Sequence, residues 1–206
     1  MKLLQSIGPN PRVVKIFITE RGLDVERQEV DLMGGENRQE SYTTLNPAGQ
    51  LPALILDSGL VISEITAICE YLDESNGSTM LIGVTPEEKA EVRMWVRRLD
   101  LGICETMANG FRATEGRPLF ENRMKLVSPD AAADLKALSK DKLEWLDKQL
   151  AGKQFVCGDR FTLADIMLYA FLEFGGTVGQ PLDESLTNVK GLYDRIAERP
   201  SIAASV

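Results

Sequence analysis

Three consecutive residues, Pro9-Asn10-Pro11, stand where a helical run begins, two prolines bracketing an asparagine at a helix mouth. Val13, Val14, Ile16 and Phe17 follow with helical spacing. A helix N-terminus carries unpaired N–H groups and the positive end of the peptide dipoles, so a group held there is favoured as an anion. Pro11 suits the first helical position, where its missing N–H costs nothing. Asn10 then reads as the cap, its side-chain oxygen turned to the helix and its NH2 free to donate to a bound anion. An ordinary cap explains the residue as well. Ser6 is the rival donor, a hydroxyl just ahead of the same mouth. Other chemistry is sparse. Cys69, Cys104 and Cys157 lie far apart with no C-x-x-C, and the chain has no histidine, so neither a metal site nor a disulfide framework is suggested.

The elements that must hold this mouth alternate over residues 2–75. Lys2-Leu3-Leu4-Gln5 is a short strand, the run from Pro11 to Gly22 a helix, and residues 25–30 a second strand. Residues 36–45 make a weak polar helix. Residues 51–62 read as two strands joined at Asp57-Ser58-Gly59, a hairpin signal. Residues 63–75 close the half as a helix with Ile65, Ile68, Cys69 and Leu72 on one face. The order β-α-β-α-β-β-α is an α/β unit with helices over a small mixed sheet.

Residues 76–86 are rich in breakers and read as a linker. Every later signal is helical. Val92, Trp95, Val96, Leu99 and Ile103 share a stripe, a long helix begins near Pro129, and Leu163, Ile166, Met167, Ala170, Phe171 and Phe174 form another. Thr162 and Asp165 make a capping box, with Phe161 and Ile166 stapled across the turn.

The 206 residues, 44% hydrophobic and 26% charged, are ordinary globular material. The 23 basic against 31 acidic residues, a net charge of −8, argue against nucleic acid or an anionic membrane as partner. The unpaired cysteine pattern and the lack of an apolar spanning run point to a reduced, cytoplasmic setting.

Three motifs together, 46–54 (NPAGQLPAL), 63–72 (SEITAICEYL) and 155–171 (FVCGDRFTLADIMLYAF), resemble the cytosolic glutathione transferase superfamily over nearly the whole chain. The resemblance is nearest to bacterial nu-class members, whose T-P-N segment aligns with Gly8-Pro9-Asn10. It implies a thioredoxin-like glutathione-binding domain over residues 1–76, a linker over 77–87 and an all-α domain over 88–206. Homodimers are usual in the family. Leu51 is then expected to pair its backbone with the cysteinyl part of glutathione, and Pro52 to be cis. Glu64 matches the acid near the γ-glutamyl end, while Ile65 replaces the usual serine and leaves only its backbone N–H, with Thr66 or Ser63 as substitute hydroxyls. Asn37 and Gln50 fall where relatives hold the glycyl carboxylate, with Arg38 beside them.

The usual catalytic serine slot is Gly8, and no tyrosine or cysteine stands in for it. The resemblance therefore implies a thiol ionised at the helix mouth by Asn10 or Ser6, with glutathione as cosubstrate and no metal. Conjugation to small electrophiles, as in detoxification, is the expected activity. Nu-type reduction of disulfides or hydroperoxides is the alternative, and a non-catalytic module on the same fold is the reading from another class. The acceptor pocket is expected around Met107 to Phe111 and Phe174, with residues 111–118 as its wall. A dimer face is expected on the helix carrying Trp95, Arg97 and Arg98, with Asp100 reaching the partner.

Overall fold

In the computed structural model, residues 1–205 are described. They form two compact units, Met1–Thr79 together with the segment from Pro200 onward, and Met80–Arg199.

The first unit is built on four short strands, β1 (Lys2–Gln5), β2 (Glu26–Glu29), β3 (Ala53–Ile55) and β4 (Val61–Ser63), in the order β2-β1-β3-β4. β1 and β2 run parallel, joined by helix α1 (Pro9–Glu20), because parallel neighbours need a crossover. β3 runs antiparallel to β1, and the Asp57–Gly59 turn brings β4 back antiparallel to β3. Side chains alternate across the sheet. Leu4 and Ala53 join Val30, Tyr42 and Leu51 in one buried cluster, while Leu3 and Leu54 face the other way and are fully buried. Helix α3 (Ile65–Ser75) and α1 pack on each other through buried stripes that include Val13, Ile16, Phe17, Ile68 and Leu72.

The weak polar helix expected over 36–45 is in fact two pieces. A 3-10 turn covers Glu36–Arg38, and α2 covers only Glu40–Thr43, because Gln39 between them is extended (φ −75°, ψ 154°). A buried bond from the Asn37 side chain to Gly49 O (2.7 Å) fixes that first piece.

The second unit is helical apart from two isolated antiparallel bridges, Phe155 to Gly158 and Cys157 to Arg160. α4 (Pro86–Leu99) starts at a capping box between Thr85 and Glu88, and continues through a π-helical turn, Asp100–Cys104, into α5 (Glu105–Ala113). α6 (Arg117–Phe120) and α7 (Pro129–Gln149) follow, the latter capped by Ser128. α8 (Leu163–Thr177) is the central helix, buried on every face from Leu163 to Leu172. α9 (Thr187–Ala197) completes the unit.

The Thr162–Asp165 capping box opens α8 as the sequence indicates. Asp165 is fully buried and accepts from Val156 N–H (2.8 Å), Thr162 N–H (2.8 Å) and Thr162 Oγ1 (3.0 Å). Burial raises its carboxyl to about 6 against the pull of these bonds. The breaker-rich stretch 76–86 is not a loose tether, since Leu81 and Ile82 are buried and Leu81 O accepts from Leu163 N–H at 2.9 Å.

Candidate ligand site at one end of the sheet

Strand register decides what the first unit gathers at one end. Leu4 of β1 pairs with Ala53 of β3, and Ala53 with Ser63 of β4. The chain leaves β1 toward α1 just beyond Leu4, enters β3 just before Ala53, and leaves β4 toward α3 just after Ser63. The mouth of α1, the Leu51-Pro52 bond and the mouth of α3 therefore lie side by side. With strands about 4.8 Å apart, β1 to β4 spans about 10 Å. An extended tripeptide has the same reach, about 10 Å.

At the first of these places the structure corrects the reading of the helix start. α1 begins at Pro9, its cap is Gly8, and Asn10 is the second helical residue. Gly8 has φ 113°, a left-handed-side value that a side chain resists, although nothing lies within 4 Å of where its Cβ would be. The glycine is there for its backbone and not for lack of space. Both prolines then fall in the first turn, at positions one and three, and neither has an N–H. The main-chain donor of that turn is Asn10 alone, and its side-chain NH2 adds to it. Among the described residues no hydrogen bond reaches the main-chain N–H or the side chain of Asn10, which is half-buried. Arg12 N–H closes back on Gly8 O at 3.2 Å.

Ser6 is a second correction. Its hydroxyl is buried and donates to Val30 O at 2.8 Å, so its one proton is committed to tying β1 to the end of β2. It is not brought to the ligand site as a donor.

The Leu51-Pro52 bond is cis, as the resemblance led one to expect. The loop before it is held by its carbonyls. Gly49 O takes the Asn37 bond, and Gln50 O accepts from Tyr42 Oη (2.6 Å) and Asn46 Nδ2 (2.8 Å). Among the described residues no hydrogen bond reaches the Leu51 main chain, which leaves a strand-like N–H and C=O pair for an extended ligand. Asn37 thus serves the loop through its Nδ2. Its Oδ1 is buried without a partner, while the half-buried Gln50 side chain makes no hydrogen bond among the described residues. Tyr42 and Asn46 anchor this loop through Gln50 O; Asn46 opens the 46–54 motif without a role assigned to it there, and Tyr42 has no signal in the sequence.

At the third place Glu64 caps α3 with φ 71° and ψ 125°, the one non-glycine residue with positive φ among those described. Such a conformation costs on the order of 1–3 kcal/mol and persists where the surroundings hold it. The first helical bond is Ile68 N–H to Glu64 O, at 3.0 Å. The N–H groups of Ile65, Thr66 and Ala67 therefore point out of the helix end, a site for an anion that does not depend on a serine hydroxyl.

No thiol of the chain can join them. Cys69 and Cys104 are fully buried, and burial, with neighbouring carboxylates, pushes both thiols well above the ordinary range. Burial likewise pushes Cys157 up to about 11. Among the described residues no cluster of metal-ligating side chains occurs.

In the second unit the residues expected to line an acceptor pocket are partly core. Met107 is buried against Gly175, and Phe111 stacks edge-on with Phe174 (5.1 Å) and Phe120 (6.1 Å). The expected dimer face also loses its aromatic residue. Trp95 is only 6% exposed because Trp145 of α7 covers it at 6.0 Å, with Arg98 and Lys153 over its ring. Arg97 and Met94 remain exposed on that helix.

Comparison with known proteins identifies the family of the chain. Residues 7–75 match the family described as glutathione S-transferase, N-terminal domain, and residues 120–200 its C-terminal domain. Glutathione S-transferase 2 of Saccharomyces cerevisiae is 31% identical over 203 residues, 95% of this chain and 84% of that protein. Glutathione S-transferase GstA of Escherichia coli O157:H7 is 30% identical over 98% of this chain and 95% of its own length. The crystal structure of Gtt2 from Saccharomyces cerevisiae superposes with a TM-score of 0.93 at 28% identity, with both chains fully covered.

Proposed function

Because the chain belongs to the glutathione S-transferase family, we propose that it seats glutathione across the β1–β3–β4 end of its sheet and ionises the thiol at the first turn of α1. It is a glutathione transferase enzyme, with glutathione as cosubstrate. The γ-glutamyl end lies on the free N–H groups of α3 beside Glu64, the cysteinyl backbone pairs with Leu51, and the glycyl end runs toward Gln50 and Asn37. The sulfur then meets Asn10.

One observation carries this reading: with prolines at positions one and three, Asn10 has the only main-chain N–H among the first three helical residues of α1, and its side-chain NH2 adds a second donor. A free thiol titrates near ~8.5, so only a few per cent is thiolate at neutral pH. Lowering it to ~6.5 takes about 2.7 kcal/mol, which one or two charge-assisted hydrogen bonds and a helix dipole supply. No general base is needed, and the thiol proton leaves to water. The thiolate adds to a small electrophile, which makes conjugation the favoured activity.

Nu-type reduction is the second reading. It is favoured by the pairing of Asn10 with a chain whose own thiols are all sealed, so that a disulfide or hydroperoxide would be reduced by two glutathiones in turn. A non-catalytic module fits less well, given full-length similarity to transferases. We also expect a homodimer, with exposed Met94 and Leu101 as apolar candidates for its surface.

Glutathione-affinity retention followed by spectroscopic titration of the bound thiol tests the reading. Retention with a thiol pKa near or below 7 supports it. A bound thiol that stays protonated at pH 7 refutes it.

A further inference from the structure

A five-residue helix, α10 (Pro200–Ala204), lies along α1 and is fastened to it at both ends. At the mouth of α1, Arg12 Nη1 donates to Ser205 Oγ at 2.7 Å and Arg12 Nη2 to Ile202 O at 3.1 Å. Ser205 Oγ in turn donates to Ile202 O at 3.1 Å, which makes a closed three-way knot. At the other end Ser201 Oγ donates to the Glu20 carboxylate. Arg12 and Glu20 are eight positions apart, about 12 Å along the helix at 1.5 Å per residue. Ser201, Ile202 and Ser205 are all buried, so the strap is packed in place and not merely touching.

The knot is tied in the same turn as the thiol donors. Arg12 is two residues past Asn10, and its own N–H closes the turn on Gly8 O. Helix ends fray, and this one has prolines in place of two of its early N–H groups. A planar fork that grips two acceptors is suited to stop that.

We infer that Arg12 is a positioning residue for the thiol chemistry, pinning α10 across the first turn of α1 so that the donors of Asn10 keep a fixed aim. This rests on the reading of Asn10 given above, and its test separates the two. Three variants are compared with the wild type, Arg12→Ala, Arg12→Lys and Ser205→Ala, the last of which keeps every charge.

Two quantities are read: the thiol pKa of bound glutathione, and amide hydrogen exchange at Arg12, Val13 and Val14 without ligand. Arg12→Ala is expected to raise the thiol pKa by about one unit, about tenfold less thiolate below the pKa, and Ser205→Ala by about half as much. Both should speed exchange in that turn about tenfold. Arg12→Lys keeps the charge without the fork and is expected to resemble Arg12→Ala.

Unchanged thiol pKa values in Arg12→Ala and Ser205→Ala, with the wild-type thiol depressed, would overturn the inference. So would full rescue by Arg12→Lys with Ser205→Ala silent, since charge alone would then be responsible. If the wild-type thiol titrates normally, the Asn10 reading falls. Faster exchange in both variants then still supports the strap, and unchanged exchange overturns it too.

Discussion

Asn10→Ala is the sharpest perturbation this fold allows, because a role in capping the helix can be told apart from the role proposed for it on a bound thiolate. The cap of α1 is Gly8, and no side-chain hydrogen bond caps the helix. Asn10 sits inside the first turn, where alanine is at least as good a helix former, so the substitution should leave stability within about 0.5 kcal/mol. The ligand effect is different. The variant keeps the backbone N–H and loses the side-chain NH2, one charge-assisted hydrogen bond to a thiolate. Such a bond is worth about 1.5–3 kcal/mol, which corresponds to about one to two units of thiol pKa. If the wild-type thiol titrates near ~6.5, the variant should titrate near ~7.5–8.5. The assay is thiolate absorbance of the glutathione complex against pH, with thermal unfolding as the control. At pH 6.5 the conjugation rate should fall about five- to fiftyfold, and near pH 9 the two proteins should converge. A thiol pKa that stays put while the variant remains folded would refute the role of the side chain. A drop in Tm of more than a few degrees would refute the claim that Asn10 is no cap.

Three further outcomes are expected. Glu64→Gly relieves the positive φ at the mouth of α3, worth about 1–3 kcal/mol, against about 0.5–1 kcal/mol of added chain entropy, so Tm should hold or rise while glutathione binding weakens more than tenfold; calorimetry and titration on one sample check both, and unchanged affinity would misplace the γ-glutamyl end. Tyr42→Phe removes the bond to Gln50 O and should cost about 0.5–1.5 kcal/mol, with a few-fold rise in the glutathione Kd, because Asn46 still holds that carbonyl; an unchanged Tm and Kd would show the loop needs no such anchor. Asp165 titrates near 6 when folded and near 3.8 unfolded, so the folded state holds the extra proton between these values and its contribution to stability falls as pH rises from about 4 to 6. Asp165→Asn should therefore be less stable than wild type by about 1–3 kcal/mol through a lost acceptor, with a gap that narrows over that window; a gap that widens with pH would reverse the sign.

What the sequence disclosed, and what it withheld, follows from how local each signal is. The hairpin at Asp57-Ser58-Gly59 and the Thr162–Asp165 box are local, and both are where the pattern puts them. α1 starts two residues before the expected Pro11 because either proline satisfies the rule that proline opens a helix. Only the backbone of Gly8 decides between them, and a dihedral is invisible in a string of letters. Ser6 looked like a donor because nothing nearby in sequence claims its hydroxyl; Val30 does so from the neighbouring strand. Periodicity puts Trp95 on an amphipathic helix but cannot show what covers it, since Trp145 comes from a helix some fifty residues on. The knot between Arg12 and Ser205 joins the most distant parts of the chain and leaves no trace in any window.

The sealing of Cys69, Cys104 and Cys157 also bears on how long such a catalyst lasts. Under the proposed function the enzyme would work in the presence of electrophiles that attack sulfur wherever it is ionised and exposed. In the proposed conjugation the activated sulfur arrives with the cosubstrate and departs with the product, while the protein's own thiols stay protonated in the core. The catalyst is thereby spared self-inactivation by what it consumes.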